Sequence, residues 1–163
     1  MLCFTYGSNM SRARLQARVP SARFMGVATL AKHRLRFHKK ANDGSAKCDA
    51  EETGNPQDQV IGVIYEIADD EKPDLDRHEA LGLGYEQKMV ELETAWGHAQ
   101  AWMYYATRLT GTLKPYHWYK QHVLVGAREN GLPPDYIATI EATESIADPD
   151  RQRHERELSI YRG

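Results

Sequence analysis

The chain has 163 residues and a mass of 18.6 kDa, which is the size of one ordinary domain with a core of its own. Lys and Arg number 21 and Asp and Glu number 23, so the net charge of −2 provides no basic field for a phosphate backbone. This balance argues against nucleic acid as a partner. With 41% hydrophobic and 27% charged residues, the composition is typical of a soluble globular protein.

We expect a single domain over residues 1–163, in which residues 148–163 form a charged C-terminal tail or helix. The longest apolar stretches are only a few residues, such as Val123 to Val125, whereas a membrane helix needs about 20. The N-terminus has no basic region of the kind that opens a signal peptide. These features predict a cytoplasmic protein without membrane association, in which Cys3 and Cys48 are free thiols.

The first predicted unit is a strand, a tight turn and a helix. Leu2–Tyr6 is typical of a short strand, and Gly7–Asn9 interrupts it. The segment Ser11–Arg18 favours a helix, for which Asn9 or Ser11 is the candidate N-cap.

Several strands are predicted in the middle of the chain. Ala22–Lys39 suits two strands that meet near Lys32 and His33, and Ala41–Asp58 is a polar excursion in which Cys48 lies on a short strand. Val60–Ile67 is β-branched and apolar on both faces, which predicts a central strand.

The second half of the chain begins with a short helix through Leu75 to about Ala80. Tyr85–Thr94 and His98–Ala106 then predict a hairpin. Two helices follow, one from Pro115 to the stop at Gly131–Pro134 and one over Asp135–Ala142. Strands followed by helices predict an α+β fold, and the many short strands allow a closed barrel.

The common catalytic motifs are missing. His33 and His38, like His117 and His122, are five residues apart, which does not bring two ligands to one face, and HExxH does not occur. Ser8 lacks the GxSxG context, neither cysteine is in a nucleophile motif, and there is no phosphate-binding glycine loop. The sequence therefore predicts no metal site, no covalent catalysis and no nucleotide cofactor.

Two features remain as candidates. The turn Tyr6–Met10 joins a strand to a helix, so its unpaired N–H groups are suited to an anion. Glu79 lies after the most apolar strand and before a glycine-flanked bend. Each also has an ordinary structural explanation, since one can be a capped turn and the other a solvated glutamate.

Together these features resemble the gamma-glutamylcyclotransferase family. The family's YGSN loop matches Phe4–Met10, and its acid/base glutamate aligns with Glu79 within Leu75–Tyr85. The helical ending Tyr119–Pro133, with its sequence GARENGLP, is similar to that of the animal enzymes. The resemblance spans about residues 2 to 140 and implies a small mixed β-barrel flanked by helices, with the site at the mouth of the barrel.

The resemblance also implies a reaction and a set of site residues. The α-amino group of a gamma-glutamyl unit attacks its own gamma-carbonyl, which yields 5-oxoproline and a free amine without a metal or cofactor. Glu79 is the implied catalytic residue. The implied substrate-binding residues are Tyr6, Gly7, Ser8, Asn9, Met10, Tyr85 and Tyr119.

The sequence departs from the family pattern at two positions and leaves the substrate open. Ala80 stands where many relatives have Gly, and Met10 stands where Leu is common. Members of the family act on gamma-glutamyl amino acids, gamma-glutamyl amines, glutathione or gamma-glutamylated antibiotics. The alternatives are a non-catalytic module that binds a carboxylate or gamma-glutamyl ligand and a surface interaction protein, and a homodimer remains open.

Overall fold

The computed structural model describes residues 1–163, which form seven strands and five helices. The strands are β1 (Leu2–Thr5), β2 (Arg23–Ala31), β3 (His33–Lys40), β4 (Ala46–Glu52), β5 (Gln59–Glu66), β6 (Tyr85–Thr94) and β7 (Gly97–Ala106). The helices are α1 (Arg12–Arg18), α2 (Lys72–His78), α3 (His117–Glu129), α4 (Pro134–Glu141) and α5 (Arg151–Leu158). None of the helices has the length and apolar character that crossing a bilayer requires.

Five of the strands close into a barrel in the order β1, β5, β2, β6, β7. All neighbouring pairs are antiparallel except β1 and β7, which meet in parallel at Cys3 and Trp102. Side chains of β5 are buried on both faces, among them Val60, Ile61 and Val63. The predicted α+β fold with a small mixed barrel is confirmed, and β5 is central as predicted.

The strands β3 and β4 form a separate two-stranded sheet, which corrects the predicted excursion over Ala41–Asp58. Much of that segment is the seven-residue strand β4, whose Cys48 pairs with Phe37 of β3. The inward residues Ala46, Cys48 and Ala50 are small, so the alternation that marks a strand was weak in the sequence. Their burial places one face of this sheet against the core.

The helices begin and end close to the predicted positions. Ser11 caps α1, because its hydroxyl accepts from the N–H of Arg14 at 3.4 Å. Helix α2 ends before the predicted Ala80, whose φ of 51° lies outside the right-handed helical region. Gly126 of α3 lies directly on the first turn of the chain, since a Cβ there would be 2.5 Å from the Cβ of Met10.

The charged segment 148–163 contains the helix α5 and is not a frayed tail. Glu157 accepts from Arg14 at 2.7 Å and lies 3.2 Å from Nε2 of His122. Tyr161 donates to Ser11 at 2.9 Å. Burial lowers the pKa of His122 to about 4, so this ring is neutral at physiological pH. These contacts fasten α5 to α1 and α3 behind the first turn.

Candidate active site

A small, partly open pocket lies where β1 ends and the first turn begins. Seven elements of the fold contribute to its wall. The lining residues are Cys3, Phe4, Thr5, Tyr6, Gly7, Ser8, Asn9, Cys48, Leu75, Glu79, Tyr85, Tyr104 and Tyr119. The structure thus brings together every residue that the sequence predicted for the site except Met10.

Glu79 enters this pocket because of the way α2 ends. The N–H of Leu81 donates to Asp76 O at 3.0 Å and the N–H of Ala80 donates to Arg77 O at 3.2 Å. This pattern is a Schellman motif, in which the residue after the C-cap adopts a left-handed conformation. The motif reverses the chain and leaves Glu79 at the pocket with 16% of its side chain exposed.

Two polar side chains hold one oxygen of the Glu79 carboxylate. Asn9 Nδ2 donates to Glu79 Oε1 at 2.5 Å, and Arg18 Nη1 donates to Asn9 Oδ1 at 3.1 Å. Arg18 Nη1 is also 3.5 Å from Glu79 Oε1. Both ends of the Asn9 amide are therefore occupied, which defines its orientation. The other oxygen, Oε2, accepts no hydrogen bond within the protein and remains available to a ligand.

Arg18 is the part of this arrangement that the sequence analysis missed. Burial lowers its pKa, and the charge of Arg14 acts in the same direction, while the Glu79 carboxylate opposes both. A basic residue in the last turn of a helix ordinarily complements the helix dipole, so Arg18 gave no separate signal in the sequence. Its contact with Asn9 depends on the three-dimensional approach of α1 to the first turn.

The first turn, which lines the pocket, leaves several of its backbone N–H groups unused. The N–H of Met10 donates to Gly7 O at 3.1 Å and that of Ser11 donates to Ser8 O at 3.2 Å, which closes one turn of 3₁₀-helix. This turn does not use the N–H groups of Gly7, Ser8 and Asn9. Three residues with unused N–H donors therefore line the same pocket as Glu79.

Met10 and Gly7 support this turn in different ways. Met10 lies outside the pocket lining because its side chain is fully buried in the core and its carbonyl accepts from the Tyr65 hydroxyl at 2.8 Å. Gly7 lies in the pocket wall, where a Cβ would be 2.9 Å from the Cβ of Cys48. The turn can approach β4 this closely only because Gly7 has no side chain.

Three tyrosines form a neutral wall around the pocket. The Tyr6 hydroxyl donates to Tyr104 O at 2.6 Å and the Tyr85 hydroxyl donates to Cys48 O at 2.6 Å. The Cys48 N–H donates to the Tyr119 hydroxyl oxygen at 2.9 Å. Burial raises the pKa of Tyr6, Tyr85 and Tyr119 well above the ordinary value, so each remains protonated at neutral pH.

The two cysteines of the pocket are free and unreactive thiols. Burial raises the pKa of Cys3 and of Cys48 to about 12 each, so almost none of either is thiolate at neutral pH. No group of three His, Cys, Asp or Glu side chains comes together in a way that could hold a metal ion. Among the pocket residues, Glu79 is therefore the remaining candidate for an acid/base role.

The fold and the site together define a class of protein: a closed, mixed β-barrel with a carboxylate facing the turn after its first strand. The AIG2-like family profile matches residues 59–140. Human gamma-glutamylcyclotransferase is 31% identical over 147 residues, covering 88% of this chain and 78% of that protein. The bovine gamma-glutamylcyclotransferase is 30% identical over 153 residues with the same two coverages.

A solved structure described as gamma-glutamyl cyclotransferase has a TM-score of 0.86 at 28% identity, and the match covers 100% of this chain and 99% of that one. The chain belongs to the gamma-glutamylcyclotransferase family. The family, the fold class and the enzyme class predicted from the sequence are confirmed by these relatives.

The C-terminal motif of α2 generates a prediction about stability. The left-handed conformation of Ala80 costs an L-residue about 1–2 kcal/mol, which glycine avoids. We expect Ala80→Gly to raise the free energy of unfolding by about 0.5–1 kcal/mol, because the greater freedom of glycine in the unfolded chain offsets part of the gain. Urea denaturation measures the change. The matched control is Ala138→Gly in α4, which should lower the free energy of unfolding by about 1 kcal/mol. A decrease of that size in Ala80→Gly would contradict the account.

Proposed function

We propose that the protein cyclises gamma-glutamyl compounds, releasing 5-oxoproline and the amine that was bound to the gamma-carbonyl. The observation that carries this proposal is the Glu79 carboxylate, held by Asn9 at 2.5 Å in a pocket that the first turn also lines. The named function of the relatives at about 30% identity agrees with it.

The reaction needs one group that first removes and then returns a proton. The α-nitrogen of the substrate forms a bond to the gamma-carbon, and Glu79 takes the proton that this nitrogen loses. The bond between the gamma-carbon and the leaving nitrogen then breaks, and Glu79 gives the proton to that nitrogen. Proton and atoms balance without water, and the free Oε2 of Glu79 is the atom we assign to the transfer.

The first turn is assigned to the negative charge of the substrate. Gly7, Ser8 and Asn9 line the pocket, and their N–H groups, which the turn leaves unused, are suited to the α-carboxylate or to the oxygen that becomes negative during attack. Holding the substrate at this turn places its α-amino group near Glu79, which lowers the entropic cost of ring closure.

The tyrosine wall is assigned to shaping the pocket. Tyr6, Tyr85 and Tyr119 each bond to backbone or receive a backbone donor, so their hydroxyl groups have fixed partners before any ligand enters. A rigid wall of this kind favours the folded substrate conformation in which the two reacting ends are close. The proposed chemistry gives these hydroxyl groups no proton to transfer, consistent with their raised pKa.

Asn9 and Arg18 are assigned to positioning. Asn9 fixes Oε1 of Glu79, so the carboxylate cannot rotate freely, and Arg18 fixes Asn9 in turn. Arg18 also places a positive charge 3.5 Å from the carboxylate. The proposal includes a cytoplasmic location, because both buried cysteines are free, as is usual in a reducing compartment.

The intramolecular attack predicts a strict requirement for a free α-amino group. N-acetylation of a gamma-glutamyl dipeptide removes the nucleophilic lone pair and leaves the scissile amide intact. We expect the free dipeptide to yield 5-oxoproline and the acetylated one to yield no amine, as followed by chromatography of both products. Free glutamate from the unblocked dipeptide, or N-acetylglutamate from the blocked one, would identify a hydrolase and refute the proposal.

The proton shuttle predicts a large effect of Glu79→Gln, since glutamine keeps the size but cannot accept and return a proton. Loss of general acid/base catalysis costs about 10²–10⁴-fold, equivalent to roughly 3–5 kcal/mol of barrier. We expect the loss of kcat to lie toward the larger of these two factors, while the melting temperature is maintained. The control is Glu86→Gln at an exposed position of β6, which should keep wild-type kcat.

Three outcomes are informative. Near-wild-type turnover in a folded Glu79→Gln protein would contradict the assignment of Glu79. Absence of turnover in both proteins across a panel of gamma-glutamyl compounds, with ligand binding intact, would favour the alternative of a non-catalytic binding module. Loss of turnover in Glu79→Gln alone is the expected result.

A further inference from the structure

Lys39 of β3 differs from every other half-buried lysine of the protein. The other half-buried lysines, whose ammonium groups are hydrogen-bonded, are Lys47, Lys72, Lys88 and Lys120. The ammonium group of Lys39 has neither a hydrogen-bond acceptor nor an acidic partner within 4 Å, as the salt bridges of the protein involve other lysines. Burying a cation costs free energy unless the cation is paired, and an anionic ligand that contacts it offsets that cost.

Lys39 lies against a residue of the pocket wall, Tyr85. Its Nζ lies 4.8 Å from the ring centroid of Tyr85, and its terminal atoms pass so close to Gly84 that a Cβ there would be 3.0 Å from Nζ. Phe37, two residues earlier in β3, packs its ring on Tyr119 at 6.4 Å. The strand thus faces two tyrosines of the pocket wall, and Lys39 lies beside Tyr85, whose carbonyl accepts from the N–H of Gly82 at 2.8 Å.

The electrostatics of Lys39 agree with this position. Burial lowers its pKa, and the Glu79 carboxylate opposes that effect more than any other acid does. Arg108 acts with burial and Asp43 acts against it. Glu79 is not a salt-bridge partner of Lys39, because the cation within 4 Å of its carboxylate is Arg18.

We propose that Lys39 binds a carboxylate on the leaving group, so that the preferred substrates are gamma-glutamyl amino acids or peptides and not gamma-glutamyl amines. This inference rests on the function proposed above. The glutamyl half of the substrate is engaged by the N–H groups of the first turn and by Glu79. A cation that lies against Tyr85 of the pocket wall is suited to the other half, which extends beyond the scissile nitrogen.

A pair of substrates that differ only in that carboxylate isolates the effect. Gamma-glutamylalanine and gamma-glutamylethylamide share the glutamyl unit and the two-carbon leaving chain, and only the first carries the second carboxylate. We expect the wild-type kcat/KM to be higher for gamma-glutamylalanine. In Lys39→Met, which keeps the stem and removes the charge, the ratio of the two kcat/KM values should fall about tenfold or more, mainly through KM for gamma-glutamylalanine.

Two further variants complete the experiment. Lys40→Met removes a charge from the next residue, which is exposed, and should leave the ratio at the wild-type value. Lys39→Arg keeps the charge and should retain most of the preference. Thermal melting of each variant verifies that it is folded.

The results separate this inference from the proposed function. The inference would be overturned if the ratio of the two kcat/KM values is unchanged in folded Lys39→Met, or if kcat/KM falls equally for both substrates. In either case, release of 5-oxoproline by the wild-type protein would still support the proposed function. An equal loss would mean that Lys39 binds the glutamyl carboxylate instead. If the wild-type protein forms 5-oxoproline from neither compound nor from other gamma-glutamyl compounds, the proposed function fails, and the inference fails with it.

Discussion

The hydrogen bond between Asn9 and Glu79 joins two parts of the chain that are 70 residues apart, and the site depends on it. Asn9 belongs to the turn that follows the first strand, while Glu79 ends a short helix that follows the central strand β5. Each residue is positioned by local structure, one by a 3₁₀ turn and the other by a Schellman motif. The barrel brings the two together because β1 and β5 are neighbours in it.

The packing behind the turn limits how far this contact can move. At Gly126, α3 packs directly on Met10, and at Gly7 the turn packs directly on Cys48 of β4. Neither contact leaves room for a side chain on the glycine. The helix α5 adds Glu157 and Tyr161 to the same region from the end of the chain. Close packing on both sides of the turn makes its row of N–H donors a fixed feature, which is what stabilisation of a developing charge requires.

Much of the fold was predictable from the sequence, because the strong signals were local ones. Alternating or continuous apolar runs marked β5 and the hairpin of β6 and β7, and Gly131 with the prolines after it marked the end of α3. The strand β4 was underestimated because small residues fill its buried positions. At Ala80 the sequence shows a departure from the glycine of the family pattern. Only the backbone shows that this alanine adopts a left-handed conformation, which is unfavourable for an L-residue.

The site was predictable to the extent that its residues lie in motifs. Glu79 and the first turn stand out through their resemblance to a family pattern, whereas Arg18 and Lys39 do not belong to any motif in the sequence. Their importance comes from distances across the fold, of Arg18 to Asn9 and of Lys39 to Tyr85. Met10 illustrates the opposite error, since it is part of the motif but serves the core. Contacts between distant segments are the information that one sequence does not contain.

The central claim is that Asn9 serves the reaction by holding Glu79, and a double-mutant cycle on kcat tests it most directly. Asn9→Leu removes a hydrogen bond to a charged group, worth about 1.5–3 kcal/mol, so kcat should fall about ten- to hundredfold in the wild-type background. In the Glu79→Gln background, single-turnover formation of 5-oxoproline should be the same within about twofold with Asn9 or Leu at this position. A loss by the same factor in both backgrounds would contradict the account, because Asn9 would then act on the substrate independently of Glu79.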